Sequence, residues 1–347
     1  MPRVLVTGAN GHIGANLVRD LLAHDYEVVP MVRKGADLRG LHGLDLEYRY
    51  GDILDSDAVR AAVDGVEAVF HLAQPYDMAP KVTMEDMTRP AIEGTKNVFA
   101  AMADAGVKQV VYTSSVASVG VADDVNKPLT ETSFNPQSDI PYTQAKIIGE
   151  RTAMEMASEY GLDIRVTLPG GCIGRWDFKG TPTQEPIWDA VNGKGPAAFG
   201  VTFTDIRDVA TGHRLALEKG RAGERYLVTA DVMTPDETAD HLAVYAKKRP
   251  GVSLPPKPVL MVAVTVLGWI GMAPITRDVV REVHSKHFSY DGSKARKELG
   301  FEPRTPQVAL DECLRWGLYF GRLNDGVGEK VRAALPPEAA WAEVGAS

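Results

Sequence analysis

The chain has 347 residues, of which 44% are hydrophobic and 24% charged, with a net charge of −8 at pH 7. That length accommodates one large α/β domain with a smaller lobe, or two ordinary domains, and the composition is that of a soluble globular protein. The negative balance excludes a nucleic-acid binder, which needs a basic face, and two distant cysteines, Cys172 and Cys313, give no disulfide framework and suit a reducing, cytoplasmic setting.

The N-terminus runs straight into Arg3–Thr7, a short apolar run that predicts a strand buried on both faces and leaves no room for a signal peptide. Gly8-Ala-Asn-Gly11-His-Ile-Gly14 follows, then helical periodicity over Ala15–Ala23 and a second apolar run, Glu27–Val32. Strand, glycine turn, helix, strand is the unit that binds a dinucleotide. Gly8 allows the tight turn, Gly11 the approach of backbone to the pyrophosphate, and Gly14 the close packing of helix on strand. Asn10, His12 and Ile13 lie in the same turn, at the helix N-terminus whose free N–H groups face the phosphates. The end of the second strand, where a carboxylate would hold an adenosine 2′-hydroxyl, carries Val32 followed by Arg33 and Lys34. Two cations there favour NADP(H) over NAD(H).

Leu46–Tyr50 predicts a strand, and Gly51-Asp52-Ile53 a turn in which Asp52 either accepts from an adenine amino group or caps the turn. A helix over Asp57–Val63 and a strand over Ala68–Leu72 come next, the latter running into Ala73 and Gln74. His71 reads as a structural residue at the strand end. A helix from Thr88 to Ala105 leads to the strand Gln109–Thr113, which delivers Ser114 and Ser115 at its carboxyl end, where ligands of open α/β sheets sit. The helix beginning near Tyr142 and ending near Tyr160 places Tyr142 and Lys146, four residues apart, on one face. A phenol titrates near 10 when unperturbed, and a neighbouring ammonium is expected to lower that value toward useful acid–base chemistry.

Asp163–Leu168 is a further strand, followed by Pro169-Gly-Gly-Cys-Ile-Gly174. Residues 175–203 show no clear periodicity and suggest a lobe or lid. Phe203–Ile206 and Arg207–Lys219 read as strand then helix, Tyr226–Val228 as a strand, and Pro235–Lys248 and Gln307–Arg322 as helices. Val259–Ala273, 15 residues without a charge, is shorter than the about 20 that a membrane span requires. It is expected to be a buried or pocket-lining helix, with membrane-surface contact as the lesser reading. The tail beyond is expected to be loosely ordered. The fold class is thus α/β, a Rossmann doubly wound parallel sheet over 1–168 and about 204–231. A smaller, mostly helical substrate lobe covers about 169–203 and 232–347.

Together, Thr7–Gly14, Gly51-Asp52, His71-Leu-Ala73, Tyr112-Thr-Ser-Ser115, Tyr142-x-x-x-Lys146, Phe203–Ala210 and Ser289–Gly300 resemble the extended short-chain dehydrogenase/reductases of the NAD-dependent epimerase/dehydratase superfamily. The resemblance runs from residue 1 to about 320. Sugar-nucleotide epimerases of that group carry asparagine where this chain has Ala91, within Arg89-Pro-Ala-Ile-Glu-Gly-Thr95. The segment is instead similar to the dihydroflavonol-4-reductase, cinnamoyl-CoA reductase and yeast methylglyoxal reductase group, as is Val32-Arg33. Gly106–Ser115 also resembles 3β-hydroxysteroid dehydrogenases and hopanoid-associated epimerase-like proteins, so oxidative and epimerase or dehydratase readings stay open.

The resemblance implies an oxidoreductase in which Tyr142 is general acid in reduction and base in oxidation, Lys146 supports it and meets the nicotinamide ribose, and Ser115 polarises the substrate oxygen. Ser115 is chosen over Ser114 because it lies five residues before Gly120. The cofactor site is expected to include Leu72, Ala73, Gln74, Thr113, Pro169, Gly171 and Cys172, with Cys172 a packing residue. Gln74, Tyr76, Met78, Val116, Trp176 and Phe178 are the candidates to face a substrate, and their apolar character suggests an apolar or aromatic ketone or aldehyde. The cofactor carries the hydride, so no metal is required. A monomer or homodimer is expected, acting on a small molecule without spanning a membrane.

Overall fold

The computed structural model describes residues 1–79, 81–197, 202–269 and 275–335. Short runs rich in valine, leucine and isoleucine form strands because both of their faces are covered. They are β1 (Arg3–Thr7), β2 (Glu27–Val32), β3 (Arg49–Tyr50), β4 (Ala68–His71), β5 (Gln109–Thr113), β6 (Asp163–Pro169), β7 (Gly171–Ile173), β8 (Phe203–Asp205) and β9 (Glu224–Val228). Seven of them make a parallel sheet in the order β3-β2-β1-β4-β5-β6-β9, and β7 pairs with β8 in a separate two-stranded ladder. The order reverses between β1 and β4, which opens a crevice at the carboxyl ends of the strands. Register places Thr7 opposite Met31 and His71, and Thr113 opposite Thr167, so those ends emerge together.

The first eight helices are α1 (His12–Leu22), α2 (Ser56–Val63), α3 (Met84–Arg89), α4 (Thr95–Ala105), α5 (Val116–Val119), α6 (Pro141–Tyr160), α7 (Glu185–Val191) and α8 (Ile206–Lys219). They are followed by α9 (Pro235–Ala243), α10 (Lys257–Trp269), α11 (Arg277–Val283), α12 (Ser293–Leu299), α13 (Pro306–Tyr319) and α14 (Asp325–Ala334). Helices α2, α4 and α6 cover one face of the sheet. The other is covered by α1 and α8, and its core continues through Trp188, Leu242, Trp316 and Val331 into the C-terminal helices.

Local chemistry sets the boundaries. Pro141 starts α6, since its missing N–H lies in the first turn where no intrahelical acceptor exists, and Gly161 ends it at φ +62°. The single helix expected over Thr88–Ala105 is broken into α3, a π-helical turn at Pro90–Gly94, and α4. Pro90 has no N–H to donate one turn back, so the hydrogen-bond register slips there. The strand expected from Leu46 narrows to Arg49–Tyr50 at the sheet edge, and the helix expected to reach Lys248 stops at Ala243. Residues 175–203 contain α7, whose seven residues are too few to display a helical period.

The apolar run departs furthest from expectation. Residues 257–269 do form a helix, yet its only buried residue is Val264 and none of its residues lines the main cleft at the carboxyl edge of the sheet. Residues 270–273 of that run lie outside the described residues. No helix among the described residues is long and apolar enough to cross a membrane.

Candidate active site

A cleft of about 790 Å³ follows the carboxyl edge of the sheet. At one end the turn after β1 is drawn tightly against the turn after β4. Gly8 has φ +68°, and a Cβ there would stand 3.0 Å from Ala73 backbone atoms. A side chain at Gly14 would collide with the Gly8 carbonyl, so α1 meets β1 closely only with glycine there. The Thr7 hydroxyl accepts from the Leu72 and Ala73 N–H groups, both at 3.1 Å, and pins the second turn in place. Its own proton is then directed to His71 Nδ1, 2.9 Å away, while Nε2 faces Thr95 Oγ1 at 3.4 Å. His71 is fully buried, and burial first, then the Lys146 ammonium, pull its pKa down to about 3. It is a neutral structural residue.

Gly8, Asn10, Gly11, His12, Ile13, Arg33, Asp52, Ile53, Leu72, Ala73 and Gln74 all line this end of the cleft. The Asn10 amide donates to the Asp37 carbonyl at 3.2 Å and fixes the turn. Arg33 is exposed and makes no ion pair among the described residues; Lys34, also exposed, does not reach the cleft wall. Asp52 accepts from the Leu54 N–H at 3.0 Å, so it serves its turn while still bordering the cleft. Asn97 of α4 donates to the Ile53 carbonyl at 2.9 Å and holds that turn to the helix layer.

At the other end β5 delivers Thr113, Ser114 and Ser115. Ser115 caps α5, accepting from the Ala117 N–H at 3.2 Å, and receives the Tyr142 hydroxyl at 3.3 Å. Ser114 turns away into the interior, donating to Glu150 at 2.5 Å. Lys146, one turn along α6 from Tyr142, donates to the Thr113 carbonyl at 3.2 Å. Beneath it His213 Nδ1 donates to the Val209 carbonyl at 2.6 Å, and Nε2 faces the hydroxyls of Thr113 and Thr167, each at 2.9 Å. Burial lowers that imidazole to about 4, so it too is neutral near pH 7. Burial likewise lowers Lys146 to about 8, although Glu150 pulls it upward.

Tyr142 does not show the expected lowering. Burial, then the neighbouring Tyr76, push its phenol above the ordinary tyrosine range, and the hydrogen bond to Ser115 only partly offsets them. The Lys146 ammonium lies 6.0 Å from the Tyr142 ring centroid and is turned toward Thr113, which explains the difference. Tyr76 packs on Tyr142 with ring centroids 4.8 Å apart and shares a 2.8 Å hydrogen bond with Thr183 across the cleft. Cys172, whose thiol burial raises to about 12, points at the Gly170 carbonyl and is a packing group.

Several expected residues lie elsewhere. Trp176 is buried in the core under the Arg19 guanidinium, 4.0 Å from its ring centroid, and Phe178 packs edge-on to Trp316 at 5.1 Å. Both are held by the aromatic cluster of α13 rather than by the cleft. Met78 and Val116 do not line the cleft, and Gly170 rather than Gly171 borders it beside Pro169 and Cys172. Sequence reasoning missed Asp77, Asp86 and the Lys179–Thr183 segment, which form much of the far wall. The last of these sits in the stretch without periodicity, where no local signal marked it.

The cleft suits a dinucleotide. His12 Nε2 and Gln74 Oε1 are buried polar atoms on its wall with no hydrogen-bond partner among the described residues, and the glycine turn leaves bare backbone at a helix N-terminus.

The family model of the NAD dependent epimerase/dehydratase family matches residues 4–229. The chain is 32% identical over 331 residues to sterol demethylase protein B of Methylococcus capsulatus, covering 90% of this chain and 97% of that protein. It is 33% identical to a putative dihydroflavonol 4-reductase of Synechocystis, covering 90% and 93%. The crystal structure of gox2253 superposes with a TM-score of 0.82 at 29% identity, covering 93% of this chain and 100% of that one. With a reversed-order parallel sheet, a glycine turn at its switch point and Tyr142 and Lys146 on one helical face beside Ser115, the chain belongs to the NAD-dependent epimerase/dehydratase family of extended short-chain dehydrogenase/reductases and is an NAD(P)-dependent oxidoreductase.

Proposed function

We propose that this enzyme is an NADPH-dependent reductase of apolar ketones or aldehydes. The observation that carries the reading is the Tyr142 hydroxyl on the cleft wall, 3.3 Å from the Ser115 hydroxyl. Burial keeps the phenol protonated, so it is present in the form that can give a proton to a carbonyl oxygen, as reduction requires. The Ser115 hydroxyl, aimed at the same point, can donate to a carbonyl oxygen and stabilise the charge developing there. Bound NADPH would supply the hydride. The Gly8–Ile13 turn and the start of α1 would hold its pyrophosphate, Arg33 its 2′-phosphate, and Lys146 the nicotinamide ribose. Lys146 also places positive charge beside the reacting oxygen.

The far wall favours a carbonyl compound over a nucleotide sugar. It carries Asp77 and Asp86 against the single cation Lys179, an arrangement that repels a diphosphate. Ala91, fully buried beside Gly149, offers no amide for a polar substrate.

NADPH and NADH absorbance followed against aryl ketones, small aldehydes, diketones and 3-oxosteroids tests the reading. Net consumption of NADPH is expected; tight binding without consumption by any carbonyl would point to an epimerase, which returns its cofactor unchanged. Arg33→Ala is expected to lower kcat/KM for NADPH by about tenfold to a hundredfold, the worth of a charge-assisted contact, and to leave NADH nearly unaffected. An equal loss with both cofactors would remove Arg33 from 2′-phosphate recognition.

A further inference from the structure

Helix α10 is apolar on the side it turns to solvent. Val259, Val262, Val266 and Trp269 recur at helical spacing and are 57, 65, 50 and 83% exposed. A surface helix of a globular protein carries charge on that face, whereas this chain has no charged residue between Lys257 and Arg277. An exposed apolar stripe of this kind marks an interaction surface.

Three features select the occupant. The segment 247–286 holds seven Lys and Arg against two Asp and Glu. Arg249 is ion-paired with Asp236 and Asp240, Arg281 with Asp139 and Asp278, and Lys286 with Asp123, which leaves Lys247, Lys248, Lys257 and Arg277 to carry the excess. A local positive excess around an apolar helix complements an anionic lipid surface. Lys257 stands at the start of the helix and Trp269 at its end, the residue types that settle at headgroup level. The four side chains offer roughly 500 Å², short of the about 800 Å² per partner of a stable protein interface, while a bilayer needs no such minimum. The 13 described residues of the helix, about 20 Å long, are too few to span.

Its mounting connects it to the site. Lys257 donates to the Arg281 carbonyl of α11 at 2.9 Å. Glu282 of the same helix accepts from Ser138 Oγ at 2.6 Å and from the Asp139 N–H at 2.7 Å. Those two residues lead directly into α6, whose first turn bears Tyr142.

We propose that α10 docks in the plane of an anionic bilayer and that the enzyme takes its apolar carbonyl substrate from the lipid phase; the second half rests on the reductase reading. Full-length protein is expected to sediment with vesicles of phosphatidylcholine and phosphatidylglycerol in equal parts, and less with phosphatidylcholine alone. V262E/V266E, altering two solvent-facing side chains, is expected to lower the partition coefficient by at least about tenfold. It should reduce a water-soluble ketone at the wild-type rate and a vesicle-dissolved ketone more slowly. Wild-type protein remaining in the supernatant with both vesicles would overturn the proposal. So would a wild-type dimer that V262E/V266E splits without any vesicle binding, which would make α10 a self-association surface. Vesicle binding that V262E/V266E abolishes, with no ketone reduced by either protein, would support the docking surface and count against the reductase reading alone.

Discussion

Tyr142→Phe is expected to lower kcat for NADPH-dependent reduction by about a thousandfold, within the range that a positioned general acid contributes, while leaving NADPH affinity and thermal stability close to wild type. The substitution removes one hydroxyl, whose only hydrogen bond among the described residues is the 3.3 Å contact to Ser115, and keeps the ring packed on Tyr76 at 4.8 Å. The pH dependence separates the two groups of the pair. Burial and Tyr76 keep the phenol protonated well into the alkaline range, so Tyr142 itself produces no fall in rate near neutrality. Burial brings Lys146 down to about 8. The ammonium is therefore present below that value and lost above it, and wild-type kcat/KM for reduction should decline as pH rises through about 8. A stopped assay with enough enzyme to see a residual rate checks both expectations. A Phe variant within tenfold of wild type would move the proton donor elsewhere, and a rate flat to pH 10 would deny Lys146 its electrostatic part.

The dinucleotide half was legible because its signals are local. Gly8, Gly11 and Gly14 each answer a steric demand of one turn, and Gln109–Thr113 was delimited to the residue because its apolar run ends where the chain must leave the sheet. Tyr142 and Lys146 were placed on one face by helical spacing alone. What spacing could not supply was direction. It brought an ammonium near a phenol but did not reveal that the ammonium points to the Thr113 carbonyl, so the shift on Tyr142 has the opposite sign to that expected. Trp176 and Phe178 look like pocket residues in a glycine-rich stretch; only the tertiary position of Trp316, some 140 residues later in the chain, makes them core. The uncharged run at 259–273 read as buried because apolar side chains usually are. The sequence contains no cue that the face of α10 bearing Val259, Val262, Val266 and Trp269 is left exposed by the described residues.

Arg225→Met is expected to destabilise the protein by about 3–5 kcal/mol, because it strands a carboxylate in the interior. Glu150 is fully buried and its Oε1 pairs with Arg225 Nε at 2.6 Å. Its other oxygen accepts from Ser114 and Ser118, at 2.5 and 2.6 Å. Arg225 in turn donates to the Ser133 carbonyl at 2.8 Å and to that of Glu131, and lies over the Phe134 ring at 3.7 Å from its centroid. One ion pair thus joins the edge strand β9, helix α6 and the 131–134 loop. Removing both charges should cost less than removing one: E150M/R225M is expected to recover much of the loss and to remain about 1–2 kcal/mol below wild type, since Ser114 and Ser118 then lose their charge-assisted bonds to the carboxylate. Urea denaturation of the two single variants and the double completes the cycle. Ser114 adjoins Ser115, so R225M should also lower kcat more than it raises KM for NADPH, with Tyr142 and Lys146 intact. A loss in the double variant equal to the sum of the two single losses would mean that the pair contributes no coupling. The neighbouring backbone, rather than this buried charge, would then be what holds Ser115 against Tyr142.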